Sequence, residues 1–433
     1  MATAPAPQTD TEMPDEGTLP WEVNAAPHAY DVAMPDIYVE DRWHPVFADM
    51  RKRAPINKVV GSEYGDYWNI STYKPIMHVE ALPDIFSSSY EHGGITVVAD
   101  EDLRDSIPEN ERVEMPMFIA MDRPKHTEER RVIAPAFTPG EIERMSSDVR
   151  RRTGELLDSL PIGQRFDWVD KVSIELTTQM LAIVFDFPWE DRRKLTEWSD
   201  WAGDVELFRT SETRQQRLAK MFEMGAYFQN LWDERLSKGE APDLISRMIH
   251  SPMKNMSQME YFGNLILLIV GGNDTTRNSM SGYAYGLQQF PDEREKLEAN
   301  PSMIPNAVQE LIRWQTPLAH MRRTALQDHD LFGAPIKAGD KVVMWYISAN
   351  RDESVFENAD KLIVDRENAR RHLSFGYGIH RCVGARLAEL QIRILLEEMA
   401  KRRLRPNVIG EPERVRGCFV HGYRSMDVEL TTY

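Results

Sequence analysis

A lone cysteine framed by glycines is the feature of this chain with the most specific chemical potential. The segment Phe375–Gly384 reads FGYGIHRCVG and places Cys382 just before a predicted helix. Glycines allow positive φ and close backbone approach, so this loop can lie under a flat cofactor and direct amide N–H groups at the sulfur. Those amides and the helix N-terminus favour the thiolate, the form that ligates iron. An isolated cysteine is more often an ordinary core residue, so its context has to decide.

A second cluster of polar residues stands in the apolar centre of a predicted helix. The run Gly271–Thr276 reads GGNDTT and directly follows the apolar run Leu265–Val270. Each glycine costs a helix interior about 1 kcal/mol, and Asp and Thr compete for backbone hydrogen bonds. One interpretation is a close helix contact through small residues. The other is a local kink that makes room for dioxygen, with Asp274 and Thr275 delivering protons.

Two charged pairs lie at helical spacing. His126 and Arg130 are four residues apart, and Glu310 and Arg313 are three apart, so each pair shares a helix face. Taken alone, either pair is an ordinary surface contact.

The cysteine segment resembles the iron-ligand loop of the cytochromes P450 at every position that this family fixes: Phe375, Gly378, His380, Cys382 and Gly384. The other segments follow in the order of the family, so the resemblance covers roughly residues 30 to 433. It implies haem b as cofactor, Cys382 as its axial iron ligand, and Phe375 and Gly376 beside it.

The resemblance also implies roles for the charged residues. The haem propionates would be bound by His126, Arg130, Arg323 and His380. Cationic fork-shaped donors suit carboxylates on electrostatic grounds. Arg322 competes with Arg323 for this role, and the spacing to Asp328 favours Arg323. Asp274 and Thr275 match the acid-alcohol pair of the family.

A structural network is the third implication. In the family, the Glu-x-x-Arg pair, here Glu310 and Arg313, joins an arginine that precedes the cysteine loop, and Arg366 occupies that place. The family usually has an aromatic residue a few positions earlier, where this chain has Leu362.

The elements that must position these residues are mainly helical. Ser257 and Glu260 have capping-box spacing, and the helix they begin continues to a stop at Pro291. Further helices are predicted after Pro305 and after Cys382. In the first half, helices are predicted over Trp43–Arg53, Glu141–Leu160, Val169–Phe185 and Arg214–Leu236, and a strand pair over Asn57–Ser71. Short strands follow Pro317. The predicted fold class is mainly α with a minor β portion, the cytochrome P450 fold, with haem between the long central helix and the cysteine loop.

Length and composition limit the number of domains, the partners and the cellular compartment that we expect. The 433 residues contain no repeat or linker, which predicts one domain over residues 26–433 after a flexible tail at residues 1–25. A net charge of −17 argues against nucleic acid as a general partner. The strongly apolar run Leu265–Val270 is far too short for a membrane anchor. Two cysteines without a CxxC pair imply neither disulfide nor zinc and point to the reducing cytoplasm.

The resemblance implies a monooxygenase that inserts oxygen from O2 into an unactivated C–H bond of a hydrophobic small molecule. Its electrons would come from NAD(P)H through a flavoprotein reductase and a 2Fe-2S ferredoxin. An acidic ferredoxin would dock on a basic patch beside the cysteine loop, which the sequence places at Arg381, Arg386, Arg393, Lys125 and Arg131.

The expected substrate side is lined by Leu267, Val270, Gly271, Leu318 and Phe419. The phrases LILLIVGGNDTTRNSM and MFIAMDRPKH resemble the bacterial branch that hydroxylates the terminal carbon of alkanes and fatty acids. A sterol side-chain hydroxylase shares part of this pattern. A haem-binding protein without turnover is a third possibility, which Asp274 and Thr275 disfavour because such a protein needs no proton relay.

Overall fold

The computed structural model describes residues 17–97, 115–204 and 210–433. Within these ranges the helices are α1 (Asp36–Val39), α2 (Trp43–Arg53), α3 (Tyr73–Ala81), α4 (Lys125–Ile133), α5 (Pro139–Ser159), α6 (Glu175–Phe185), α7 (Arg193–Gly203), α8 (Ser211–Leu236), α9 (Leu244–Ile249), α10 (Gln258–Gln289), α11 (Pro291–Ala299), α12 (Ile304–Gln315), α13 (Tyr346–Ala349) and α14 (Ala385–Arg402). A π-helical segment, Val169–Ile174, leads directly into α6.

The strands are short and form the smaller part of the fold. They are β1 (Trp21–Ala25), β2 (Ile56–Val60), β3 (Tyr67–Ile70), β4 (Phe86–Ser87), β5 (Arg165–Asp167), β6 (Met321–Ala325), β7 (His329–Leu331), β8 (Ala334–Ile336), β9 (Lys341–Met344), β10 (Leu404–Val408), β11 (Glu413–Arg414), β12 (Tyr423–Ser425) and β13 (Asp427–Thr432). The largest sheet has the order β1-β2-β3-β9-β6-β4, and a three-stranded sheet has the order β10-β13-β5. The predicted class, mainly helical with a minor β portion, is confirmed.

The long central helix is α10. Its N-cap is Ser257, whose side chain accepts a hydrogen bond from the amide of Glu260. It ends at Gln289, which is followed by Phe290 and Pro291. This confirms the helix that the capping-box spacing predicts. Helices α6, α7, α12 and α14 contact it, so its polar residues lie inside the protein.

Most predicted elements of the first half are also present. The predicted helices correspond to α2, α5, the π-helical segment with α6, and α8, while the strand pair is β2 and β3. Ile56 stands opposite Ile70 in that antiparallel pair. The short strands expected after Pro317 are β6 to β9.

The flexible tail predicted over residues 1–25 extends too far along the chain, because its last residues belong to the fold. Trp21–Ala25 forms β1, which runs parallel to Ile56–Val60 at the edge of the largest sheet. Its side chains are mostly exposed, so backbone hydrogen bonds hold it and no alternating apolar pattern marks it in the sequence. The rest of the predicted tail, residues 1–16, lies outside the described residues.

Among the described residues, no helix has the length and apolar character needed to cross a membrane.

Candidate active site

Two glycines bend the loop that carries Cys382. Gly376 and Gly378 each have a φ of +66°, which other residues rarely adopt. A side chain at Gly378 would also overlap the carbonyl oxygen of Glu80, at the end of α3. The amide of Cys382 donates to the carbonyl of Phe375 at 2.8 Å, so the chain between these two residues forms an arch. The sulfur is left facing a large internal cavity just before α14.

Opposing effects act on the pKa of the Cys382 thiol. Burial raises its pKa, and this effect outweighs the amide of Gly384 and the charges of Arg381 and Arg130, which act in the opposite direction. The amide and the two arginines thus favour the thiolate, as the sequence predicts, while desolvation opposes them because it penalises the anion. Ligation to iron would stabilise the thiolate further, since metal binding deprotonates a thiol.

One end of the cavity gathers cationic and histidine side chains. Arg130 from α4, Arg323 from β6 and His380 from the cysteine loop line it, and the ring of His126 lies 4.2 Å from that of His380. Both ring nitrogens of His126 and Nδ1 of His380 are buried without a hydrogen-bond partner among the described residues. Burial, then nearby arginines, lower the pKa of both imidazoles, that of His126 to about 4. Such a site suits an anion.

The structure separates the two neighbouring arginines of β6. Arg323 lines the cavity, and its Nη1 donates to the carbonyl of Arg322 at 2.8 Å. Arg322 instead donates to the carbonyls of His92 and Gly93, each at 3.2 Å. Arg323 is therefore the residue of the pair that can reach a ligand in the cavity.

These features fit haem b. The cavity has a volume of about 620 Å³, and Cys382, Phe375 and Gly376 lie along it. The cationic end, with its unpartnered histidine nitrogens, matches the two propionates of a haem whose iron sits at the sulfur. Cys382 would hold the iron, and His126, Arg130, Arg323 and His380 would hold the propionates.

Asp274 lies buried in α10 against α7. Its Oδ1 accepts hydrogen bonds from Ser199 at 2.9 Å and from Arg277 at 3.2 Å. Arg277 also binds Asp200 at 2.8 Å. Burial raises the pKa of Asp274 to about 6, although Arg277 acts to lower it. The carboxyl can thus change its protonation state near neutral pH, as a proton relay requires.

Gly271, Gly272 and Thr275 differ in what they do within α10: a close helix contact at one glycine, and space beside the cavity at the other two residues. The hydroxyl of Thr275 donates to the carbonyl of Gly271 at 2.9 Å, and both residues line the cavity. A Cβ at Gly272 would lie 2.8 Å from Leu181, so this glycine serves a helix contact. No described atom lies within 4 Å of a Cβ at Gly271, which leaves space there. α10 is helical through both glycines, and the hydrogen bond from Thr275 to the carbonyl of Gly271 lies at this point of the helix.

Glu310, Arg313 and Arg366 form a buried network. Arg313 donates to both carboxylate oxygens of Glu310, at 2.7 and 2.8 Å, and Arg366 donates to both at 3.0 Å. The remaining donors of Arg313 reach the carbonyls of Asn350, Ala359 and Lys361, at 2.6, 2.8 and 2.8 Å. Arg366 thus occupies the expected place although Leu362 replaces the usual aromatic residue.

The residues predicted for the substrate side all line the same cavity: Leu267, Val270, Gly271, Leu318 and Phe419. Backbone pairing brings the last two together, because Leu318 forms a bridge with Val420 and the amide of Ala319 donates to the carbonyl of Phe419 at 2.8 Å.

Sequence reasoning missed several residues of the site. Arg277 could have been found, since it stands three residues after Asp274 on the same helix. Glu80 and Ser199 carried no signal because they lie far along the chain from their partners. The same is true of Arg214 and Arg217, which line the cavity from the first turns of α8.

Comparison with known proteins identifies the class. The family model for Cytochrome P450 matches residues 51–402, and this chain belongs to that family. Two solved structures are close in fold and sequence. CYP153D17 from Sphingomonas sp. PAMC 26605 is 65% identical with a TM-score of 0.88, covering 93% of this chain and 98% of its own. Cytochrome P450-153 from Novosphingobium aromaticivorans is 62% identical with the same TM-score, covering 93% and 100%.

Curated relatives with named activities are more distant. Linalool 8-monooxygenase of Pseudomonas putida is 34% identical, covering 92% of this chain and 98% of its own. Steroid C26-monooxygenase of Rhodococcus jostii is 32% identical, covering 94% and 86%. Methyl-branched lipid omega-hydroxylase of Mycobacterium bovis is 33% identical, covering 88% and 90%. The chain is a cytochrome P450 monooxygenase, and its family implies haem, O2 and a hydrophobic substrate. This sets aside the alternative of a haem protein without turnover.

Proposed function

We propose that this cytochrome P450 hydroxylates the terminal carbon of a medium-chain fatty acid or alkane. The observation that carries the proposal is the convergence of Leu267, Val270, Leu318 and Phe419 on the cavity into which Cys382 opens. A methyl C–H bond is stronger than the neighbouring methylene bonds, so attack at a chain end requires geometry that admits only that end. The relative named as an omega-hydroxylase of methyl-branched lipids supports the same position of attack.

Two arginines in the cavity wall favour the fatty acid over the alkane. Arg214 and Arg217 line the cavity from α8, and Arg217 donates to the carbonyl of Ala202 at 3.3 Å. Burial lowers the pKa of Arg217 to about 10, so it remains cationic at neutral pH. The other arginines that line the cavity, Arg130 and Arg323, belong to the propionate end. Asp204 lies close enough to act on Arg217, and two arginines at this wall leave cationic character that a carboxylate head group near α8 would use and an alkane would not.

The protein residues divide the work as follows. Bound through Cys382, the haem supplies oxygen activation, which thiolate ligation favours over reversible oxygen binding. His126, Arg130, Arg323 and His380 fix its orientation. Asp274 and Thr275 are the catalytic pair: the carboxyl takes up a proton, and the hydroxyl passes it into the cavity.

Electrons would reach the site from a 2Fe-2S ferredoxin, itself reduced from NAD(P)H through a flavoprotein reductase in the cytoplasm. Arg131, Arg381 and Arg386 are exposed near the cysteine loop or on α4, against an acidic whole. A local basic patch of this kind suits an acidic ferredoxin.

A sterol side chain is the second candidate substrate. The relative named as a steroid C26-monooxygenase, 32% identical, favours it. A sterol is wide and rigid, whereas a linear chain is narrow and flexible, so the two place different demands on the same cavity.

Binding and product analysis decide between these substrates. Difference spectra of the ferric holoenzyme would be recorded with decane, decanoate and cholesterol, followed by turnover with a surrogate ferredoxin and its reductase. The proposal expects mainly the ω-alcohol from decanoate, and mainly internal alcohols would overturn it. Tight cholesterol binding without any response to linear chains would favour the second candidate.

Variants of the cavity sharpen the test. Arg217→Gln should weaken decanoate binding by tenfold or more and leave decane binding unchanged, because only decanoate carries the charge. Leu318→Ala should move hydroxylation inward along the chain by loosening its end. Equal effects of Arg217→Gln on both ligands would show that the arginine supports the fold and does not select the head group.

A further inference from the structure

Glu80 is a buried carboxylate that none of the roles above explains. It lies in the last turn of α3, and its side chain is 2% exposed. Oε1 accepts a hydrogen bond from the hydroxyl of Tyr346 at 2.6 Å, and Oε2 accepts one from the amide of Tyr377 at 2.8 Å. The nearest nitrogen of Arg323 lies 3.7 Å from Oε1. Glu80 therefore joins three separate parts of the chain.

The contact with Tyr377 ties Glu80 to the cysteine loop. Tyr377 stands between Gly376 and Gly378, the two residues with positive φ. A Cβ at Gly376 would lie 3.2 Å from Oε1 of Glu80, and one at Gly378 would overlap the backbone oxygen of Glu80. The Gly376–Gly378 arch, which leads to the iron ligand, therefore packs closely against Glu80.

The contact with Arg323 ties Glu80 to the cationic end of the cavity. The side chain of Arg323 is 4% exposed, and its Nη1 donates to the carbonyl of Arg322. Glu80 and Asp274 are the acidic residues among the described lining of the cavity. Asp274 belongs to the network with α7, so the acid that faces the cationic end is Glu80.

We propose that Glu80 is a positioning residue that holds Arg323 and the Gly376–Gly378 arch in place and whose negative charge lowers the reduction potential of the haem iron. The inference rests on the proposed binding of a propionate by Arg323. A negative charge near the cofactor stabilises the ferric over the ferrous state, and in a buried site it is weakly screened. Removal of the charge must therefore favour reduction.

The charge of Glu80 is able to vary in the physiological range. Burial raises its pKa to about 7, against the opposing effects of Arg323, the Tyr346 hydroxyl and the Tyr377 amide. Below that pH the carboxyl is neutral and the iron is easier to reduce, and above it the carboxylate makes reduction harder. The potential should fall between pH 6 and 8 with a midpoint near the pKa of Glu80.

The test is spectroelectrochemical titration of the holoenzyme from pH 6 to 8. Glu80→Gln keeps the size of the side chain and an acceptor oxygen, so it should retain the thiolate-type spectrum of the reduced carbon monoxide complex. Its potential should be more positive than that of the unmodified protein at pH 8. The fall between pH 6 and 8 should shrink, and the part with a midpoint near pH 7 should be lost, because Asp274, with a pKa of about 6, is then the acid of the cavity lining that still titrates. The control Glu155→Gln removes an exposed carboxylate from α5 and should match the unmodified protein.

A second variant covers the case in which Glu80→Gln does not load haem. Tyr346→Phe removes one hydrogen bond to the carboxylate and keeps the charge, so the fall in potential should persist with its midpoint at higher pH. If the spectrum is intact and both variants titrate as the unmodified protein does, the role of Glu80 is wrong. If the unmodified protein lacks the thiolate-type spectrum, the haem assignment itself fails, and the two failures are distinguishable.

Discussion

Ser199 of α7 and Asp274 of α10 are joined by a hydrogen bond of 2.9 Å, although 75 residues separate them. A Cβ at Gly203, one turn after Ser199, would lie 2.5 Å from the other carboxylate oxygen of Asp274. Two positions of α7 therefore contact the proposed proton-relay acid, one at each carboxylate oxygen, and the position of α7 determines its environment.

The first prediction concerns the pH dependence of turnover. Because burial raises the pKa of Asp274 to about 6, its protonated fraction falls from about one half at pH 6 to about one in a hundred at pH 8. Where proton delivery limits the rate, turnover should fall as pH rises from 6 to 8. Asp274→Asn should be slow and should lack this inflection. An unchanged profile in Asp274→Asn would assign the inflection to another group.

The second prediction tests the close approach of α7 to α10. Gly203→Ala should push the helices apart and lower the product formed per NAD(P)H consumed, because the added methyl meets Asp274 and also Val270, at 3.3 Å. Gly140→Ala on α5 is the matched control, since a Cβ there meets no described atom within 4 Å. Equal yields in the two variants would contradict the prediction.

The third prediction concerns Thr275. Thr275→Ala should bind substrate and accept electrons as before but divert them into hydrogen peroxide or water, because the hydroxyl that passes the proton is lost. Thr275→Ser keeps the hydroxyl and should restore most of the product yield. Peroxide release and product are measured against NAD(P)H consumption, and full coupling in Thr275→Ala would exclude the relay role.

The fourth prediction distinguishes the two cysteines. Cys382→Ala should abolish the long-wavelength band of the reduced carbon monoxide complex that is diagnostic of thiolate ligation. Cys418→Ala should retain it, because Cys418 is buried in an apolar cluster with Trp43 and Trp345 and does not line the cavity. A thiolate band in Cys382→Ala would remove the basis of the assigned iron ligand.

The fifth prediction concerns stability. Glu310→Gln should cost about 3–5 kcal/mol or prevent folding, because it leaves Arg313 and Arg366 buried without a compensating charge. Glu155→Gln removes an exposed partner of Arg151 and should cost less than about 1 kcal/mol. Denaturant unfolding measures both, and a small loss in Glu310→Gln would show that the network is not essential to the fold.

Much of the helical frame and of the site follows from local sequence signals. The capping residues Ser257 and Glu260 fixed the start of α10, and Pro291 its stop. The segment around Cys382, with its glycines, indicated a cofactor loop because positive φ and a following helix depend on residues adjacent in the chain. The spacing of Glu310 and Arg313 likewise placed two partners on one face.

Only the tertiary structure decided which distant residues complete the site. Ser199 against Asp274, Glu80 against Arg323, and Leu181 against Gly272 are contacts between segments that leave no periodic pattern in either one. Tertiary burial also raises the pKa of the Cys382 thiol, through a desolvation that no local motif records. Sequence determined the local geometry and the residue types, while the fold set their dielectric surroundings and their partners, because both depend on how distant segments are brought together.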